Sequence, residues 1–237
     1  MRPAFQFKAT SALRKFALGF VTAAFAHAAA WATSAQILVL DRDGKPVQDA
    51  VVVVVPSNTL ANVPASRQLV KEQSIVNEGM AFVPNLSIVA VGSKLRIVNN
   101  DSFDHHTRGT AAGVTAFTPG ATGGFELRLD GRVAGRPAAS QEVVVSKAGA
   151  ILLGCHMHSS MRGHVYVSES PWAGRSNAQG IVQFDDLPLG GALVKVWQAD
   201  QFVDLPSQSL TLSPANTSAA PGRLEFKLQV LPRRRRG

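Results

Sequence analysis

The sequence predicts an all-β fold, a β-sandwich or a pair of them, and three observations carry that reading. No segment after residue 35 holds a helical period for long. Short apolar or alternating runs of strand length recur instead, separated by turn signals such as Asp43-Gly44-Lys45-Pro46, Asn177-Ala178-Gln179-Gly180 and Leu187-Pro188-Leu189-Gly190-Gly191. The valine run Val51–Val55 is too short for anything but a buried β segment.

Residues 1–35 read as a signal peptide. Arg2, Lys8, Arg14 and Lys15 form a positive start, and the apolar stretch FALGFVTAAFAHAAAW follows. Small residues at Ala30-Trp31-Ala32 and Thr33-Ser34-Ala35 each suit a peptidase cut, so a periplasmic or secreted protein with no membrane span after cleavage is expected. The next unit, 36–170, opens with a β segment over 36–77. QILVL and Val51–Val55 flank the Asp43–Pro46 turn, and a polar, irregular stretch carries a short helix near Ser66–Glu72. MAFVPNLSIVAVGSKLRIVNN gives two strands broken at Gly92. TRGTAAGVTAFTPGATGG reads as a long loop, and FELRLDG, SQEVVVSKAGAILLGC and GHVYVSE resume the strands. From 171 to 230 shorter strands form a second small sandwich-like unit, and 231–237 is a basic tail.

The charge argues against a nucleic-acid partner. Against 16 acids the chain has 24 Lys+Arg, of which four fall in 1–35 together with no acid. Arg233 to Arg236 account for the remaining excess, so the body is neutral. One cysteine in an exported chain makes no internal disulfide, and a free exposed thiol invites oxidation, so Cys155 is expected to be buried or bound to a metal.

The stretch GCHMHSSMRG, 154–163, concentrates that cysteine, two of the six histidines and two of the four methionines. Apart from His27 in the leader, the other histidines are His105, His106 and His164. Cys155, His158 and Met161 are spaced C-x₂-H-x₂-M, which lets one short loop wrap three side chains round an ion. A strand end upstream, after KLRIV, supplies one more imidazole from the His105–His106 pair. A thiolate, two imidazoles and a weak thioether match the trigonal copper site of electron-transfer proteins. Zinc gains little from a methionine, and a thiolate-bridged dinuclear centre needs a second cysteine. A Cys–His nucleophile would leave Met161 and the upstream pair unused, so no enzyme is expected.

AFVPNLSIVAVGSKLRIVNNDSFDH resembles the plastocyanin-type cupredoxin pattern, with its A-F-x-P strand, a glycine after the proline (Gly92) and an N-x-D-x-x-x-H segment. KAGAILLGCHMHSSMRGHVYV resembles the other half of such a site, and its short loop is similar to that of amicyanin. A nearer resemblance, over roughly 36–200, is to exported cupredoxin-like proteins known as methylamine utilisation proteins. The AQG…LPLG…VW part is similar to carboxypeptidase-regulatory-like β units.

The resemblance implies a cupredoxin-like Greek-key sandwich with an associated regulatory-like β unit, binding one copper ion that cycles between Cu(I) and Cu(II). It implies His105, Cys155, His158 and Met161 as ligands, and Asn99, His106 and His156 as neighbours or alternative ligands. His156 replaces the family's Asn and Ser159 its Asp, and an extended backbone turns His156 away from Cys155. The sulfur is expected to accept an amide hydrogen bond from the His105 side. His158 would be the electron portal, and Phe103, Phe117 and Leu153 candidates for apolar cover. The implied function is electron transfer with a redox partner such as a periplasmic dehydrogenase or a c-type cytochrome. Two alternatives stay open: a copper-binding or delivery protein using His156, Met157 and His164 as weaker sites, and a structural sandwich whose copper site has decayed.

Overall fold

The computed structural model describes residues 33–58, 63, 67–113, 124–201, 203–213 and 222–230. The signal segment up to residue 32, Phe117 and the arginine tail lie outside them. Among the described residues no helix is long and apolar enough to cross a membrane, and the regular structure is all β.

The strands in chain order are β1 (Thr33–Asp41), β2 (Val51–Pro56), β3 (Glu72–Glu78), β4 (Ala81–Val83), β5 (Leu86–Ala90), β6 (Ser93–Asn99), β7 (His105–Ala111) and β8 (Phe125–Leu129). They continue as β9 (Ser140–Val145), β10 (Gly149–Cys155), β11 (Arg162–Ser168), β12 (Trp172–Arg175), β13 (Ile181–Leu187), β14 (Gly190–Trp197), β15 (Gln208–Leu212) and β16 (Gly222–Leu228). The turn signals are where the sequence puts them. Asp41 Oδ1 accepts the amides of Asp43 and Lys45 at 2.9 and 2.8 Å and folds the chain after β1. Gly92, at φ 83°, makes the break between β5 and β6.

Four sheets result, and they pair into two sandwiches. The first joins β4-β3-β6-β9 to β5-β11-β10-β7-β8. Ile75, Phe82, Leu95 and Ile97 from one sheet and Ile151, Leu153, Val165 and Val167 from the other share one buried core, to which Cys155 and Met161 belong. The second joins β13-β1-β16 to β12-β2-β14-β15, with Ile37, Phe184 and Phe226 packed against Val52, Val54, Val194 and Leu210. The outer face of the four-stranded sheet β12-β2-β14-β15 then lies on the first sandwich. Val51, Val53 and Trp197 pack there with Ala150, Leu86, Ile88 and Tyr166. Val51–Val54 is apolar throughout because its odd and even members face two different cores.

These pairings do not follow the expected division into 36–170 and 171–230. β1 runs antiparallel to β13 and parallel to β16, and β2 lies between β12 and β14. The first two strands therefore belong with the last five, and the site-bearing sandwich spans 72–168 between them. Two local expectations also change. Glu72 opens a strand where a helix over 66–72 is expected, because Ile75 and Asn77 alternate inward and β3 is held in the middle of its sheet by β4 and β6. The supposed loop from Thr107 starts as strand β7. There Gly109 lies opposite Phe125, whose ring fills the space a Cβ would take.

Candidate metal centre

Two strand ends and one loop build the site. β7 begins at His105, and β10, its antiparallel neighbour, ends at Cys155. His105, Thr107, Leu153 and Cys155 all turn into the core, as period-2 alternation requires. The chain then turns through 156–161, where the Met161 amide donates to the His158 carbonyl at 2.9 Å and folds His158 back over the strand ends.

The result is the one group of three or more His, Cys and acidic donors within 4.8 Å of one another among the described residues: His105, Cys155 and His158. Cys155 Sγ lies 3.6 Å from His105 Nδ1 and 3.4 Å from His158 Nδ1. A thiolate and an imidazole sharing a first-row ion such as zinc, at about 2.3 and 2.0 Å, would stand about 3.5–3.7 Å apart for angles between tetrahedral and trigonal. The donor atoms are thus already at chelating separation. The imidazole centroids are 4.9 Å apart, and Phe103, 40 % exposed, lies 5.2 Å from His105 and 5.3 Å from His158 at the rim.

His105 is oriented from behind. Its Nε2 is 2.8 Å from Asp101 Oδ2, and Asp101 also accepts the Gly79 amide at 2.7 Å and the Met80 amide at 3.2 Å. Burial works to raise the Asp101 carboxyl, but the bond from His105 and those amides outweigh it and hold it below the usual carboxylate range. An ionised carboxylate can only accept, so Nε2 carries the proton and Nδ1 turns a lone pair toward the sulfur. Asn99, fully buried, fixes the intervening loop. Its amide nitrogen donates to the carbonyls of Phe103, Asp130 and Leu129 at 2.8, 2.9 and 3.2 Å, and its oxygen accepts the Asp101 amide at 3.0 Å. Those bonds make it a brace for the loop and not a donor to the site.

The structure sorts the other sequence candidates. Met161, 2 % exposed, and Leu153 lie in the core beside Cys155. The neighbours of Cys155 Sγ at hydrogen-bond range among the described residues are the two imidazoles, so the amide donor expected from the His105 side is not there. His106 and His156 lie on the opposite face of the β7–β10 pair, stacked on each other at 4.9 Å. His164 points toward the second sandwich, 5.5 Å from Trp197, away from the donor cluster because its partner across the ladder is the outward-facing Leu152. Asp101 is the residue whose orienting role the sequence reading missed. Its signal was its place four residues before His105 inside an Asn-rich turn.

No protein-family model and no curated protein sequence matches the chain. Among solved structures, a reduced amicyanin variant is similar at 17 % identity and TM-score 0.29, covering 48 % of this chain and 98 % of its own. The amicyanin of Paracoccus versutus is similar at 18 % identity and TM-score 0.31, with 48 % and 97 % covered. A second variant, in the reduced Cu(I) form at pH 4, gives 18 % and 0.30, with 49 % and 98 % covered. At those scores the likeness establishes neither ligand nor activity.

Proposed function

We propose that this protein is a mononuclear type 1 copper protein of the cupredoxin kind that carries electrons between redox partners in the periplasm. The convergence of Cys155 Sγ with the Nδ1 atoms of His105 and His158, at 3.6 and 3.4 Å, carries the reading. One thiolate and two neutral imidazoles are the equatorial set that copper takes in electron-transfer sites, where a weak axial thioether is a frequent fourth donor. Met161, buried in the same core after the loop, is the residue for that fourth position.

Copper held there supplies a one-electron couple, Cu(I)/Cu(II). The chain supplies rigidity and access. Cys155 and His105 are buried on neighbouring strands, and His105 is locked in one tautomer by Asp101, so the donors need little rearrangement between two charge states. His158 is the partly exposed member of the set, with Phe103 against it at the rim, and its outer edge is the route to a partner such as a dehydrogenase or a c-type cytochrome. The signal-like segment 1–35 supports export, and a cut after Ala32 would leave β1 whole.

The test is the absorption spectrum of Cu(II)-loaded protein beside Cys155→Ser. An intense blue thiolate-to-copper band, absent from the variant, is expected. Stoichiometric copper without that band would replace electron transfer by delivery or storage, and no binding would leave a scaffold with a relic site.

A further inference from the structure

The donor cluster uses one face of the β7–β10 strand ends, and the other face carries residues that the proposed function leaves idle. Successive strand residues point to opposite faces. His106 follows His105 and His156 follows Cys155, so the chain neighbours of two buried donors emerge together on the outer surface. The His156 amide donates to the His106 carbonyl at 3.0 Å, which fixes the two backbones side by side. Their rings stack at 4.9 Å with 20° between planes. From the adjacent strand β8, Glu126 brings Oε2 to 3.4 Å from His106 Nε2.

Arg108 joins this group in an informative way. Its guanidinium lies 2.7 Å from His156 Nε2 and 2.7 Å from Glu126 Oε1. Arginine has donors only, so the imidazole nitrogen it meets presents a lone pair, and His156 is the neutral tautomer with Nε2 unprotonated. A cation thus already sits between an imidazole lone pair and a carboxylate oxygen, held on a side chain that is 44 % exposed. Gly154 leaves the space beside it open, and a groove of about 340 Å³ lined by Arg108, Thr110, Leu152, Gly154, Cys155 and His156 runs past the pair.

We propose that His106, His156 and Glu126 form a second, surface cation site for a borderline divalent ion, Cu(II) or Zn(II), with Arg108 as its built-in competitor. Two imidazoles and a carboxylate suit those ions, and Cu(II) binds such a set more tightly than Zn(II). An ion displaces the guanidinium, and one of the stacked rings turns about its Cβ–Cγ bond to bring its nitrogen round. The site is therefore weaker than the buried one. It does not depend on Cys155.

Metal counting tests it. The protein is titrated with Zn(II), and separately with Cu(II), in wild type and in a Cys155→Ser, His158→Asn background, with bound metal measured by equilibrium dialysis and elemental analysis. One equivalent is expected to survive in that background. His106→Asn or His156→Asn should weaken it by ~10-fold or more, at least the loss that removing an outer-shell partner causes. Glu126→Gln should weaken it less, and Arg108→Gln should tighten it. The opposing signs at Arg108 and Glu126 distinguish a site from general loss of structure, and Arg108→Gln in otherwise wild-type protein gives the same readout if the double background does not fold. An equivalent indifferent to both histidine substitutions, one lost with His164→Asn instead, or no binding in Arg108→Gln overturns the proposal. Because this count ignores the blue band, it fails or succeeds separately from the electron-transfer reading.

Discussion

The two sandwiches are made of similar strands and share a contact wall, yet they use their interiors differently. The one formed by β1, β2 and β12–β16 encloses an apolar core in which Ile37, Val52, Phe184 and Phe226 meet. The one spanning 72–168 places Asn77, Asn99, His105 and Thr107 among its fully buried residues, together with Cys155 and Met161. Buried polar groups cost stability unless each finds a partner. In the first it is met by isolated hydroxyls, with Thr33, Ser170 and Ser176 each donating to a backbone carbonyl. In the second it is met at one end by Asn99 and Asp101, whose bonds aim the donors. Both sandwiches bury polar groups, but among the described residues they converge as ligating donors in the 72–168 sandwich, while its neighbour adds apolar bulk to the outer face of the β5-β11-β10-β7-β8 sheet.

The largest expected effects ask whether the two cores are energetically one. Phe184→Ala and Phe82→Ala each remove a side chain that is 1 % exposed, and each should cost about 3–5 kcal/mol. Through the wall of Val51, Val53, Trp197 and Ala150, denaturant unfolding should stay a single transition in both variants by circular dichroism. Two separated transitions would break the comparison into two independent units. Next is Asn99→Leu, which removes the donor from the buried Leu129 carbonyl, at about 1–3 kcal/mol, and loosens the partly buried bonds to Phe103 and Asp130. It should lower both the unfolding midpoint and the copper affinity, whereas a change in stability alone would detach the brace from the site. Asp101→Asn should cost about 1–3 kcal/mol, because one acceptor oxygen becomes a donor, and weaken copper about 10–100-fold by freeing the His105 tautomer. A competition titration with a chelator measures it, and an unchanged affinity would remove Asp101 from the site.

The smallest effect lies between the sandwiches. Burial first, with Arg162 adding and Asp200 opposing, lowers the His164 imidazole below its ordinary 6.5. The unfolded chain therefore takes up the proton more readily than the folded one. Stability from this group is complete above pH 6.5 and is lost as pH falls from there toward the folded value. Asp49, Arg162 and Asp200 line the same cleft. His164→Gln should flatten this part of the acid slope of the melting temperature, and an unaltered slope would assign it elsewhere.

Much of this was legible in the sequence because it is local. The Asp43–Pro46 turn, the break at Gly92 and the strands flanking Cys155 follow from turn chemistry and alternation within a few residues. So does the outward turn of His156. Sheet membership was not legible. The bond from Thr33 Oγ1 to the Leu187 carbonyl joins residues 154 apart in sequence, and no local pattern encodes such a partner. Thr107–Ala111 reads as loop because Gly109 and Ala111 are poor strand formers and no large apolar residue alternates along it. The segment becomes a strand only by lying between β8 and β10, with Phe125 over Gly109. The role of Asp101 needed the turn that returns it to His105. Arg108 and Glu126 gave no signal at all, since a pair of surface charges on neighbouring strands looks ordinary until the register is known.

The placement of β2 beside β12 has a consequence for how such a chain can be rearranged. Val54 and Trp172 are directly opposite in that antiparallel pair, and the Ser170 hydroxyl donates to the Val54 carbonyl, so the chain leaves the sandwich of β1, β2 and β12–β16 and returns to it at nearly the same point. The whole donor-bearing segment is spliced in like a cassette through a two-stranded neck. A short turn joining Pro56 to Trp172 would, on geometry, excise it and leave the host strands in register, with Val51, Val53 and Trp197 newly facing water. Read in the other direction, the same neck is a ready-made graft point: another donor-bearing module can be exchanged there without shifting the register of any host ladder.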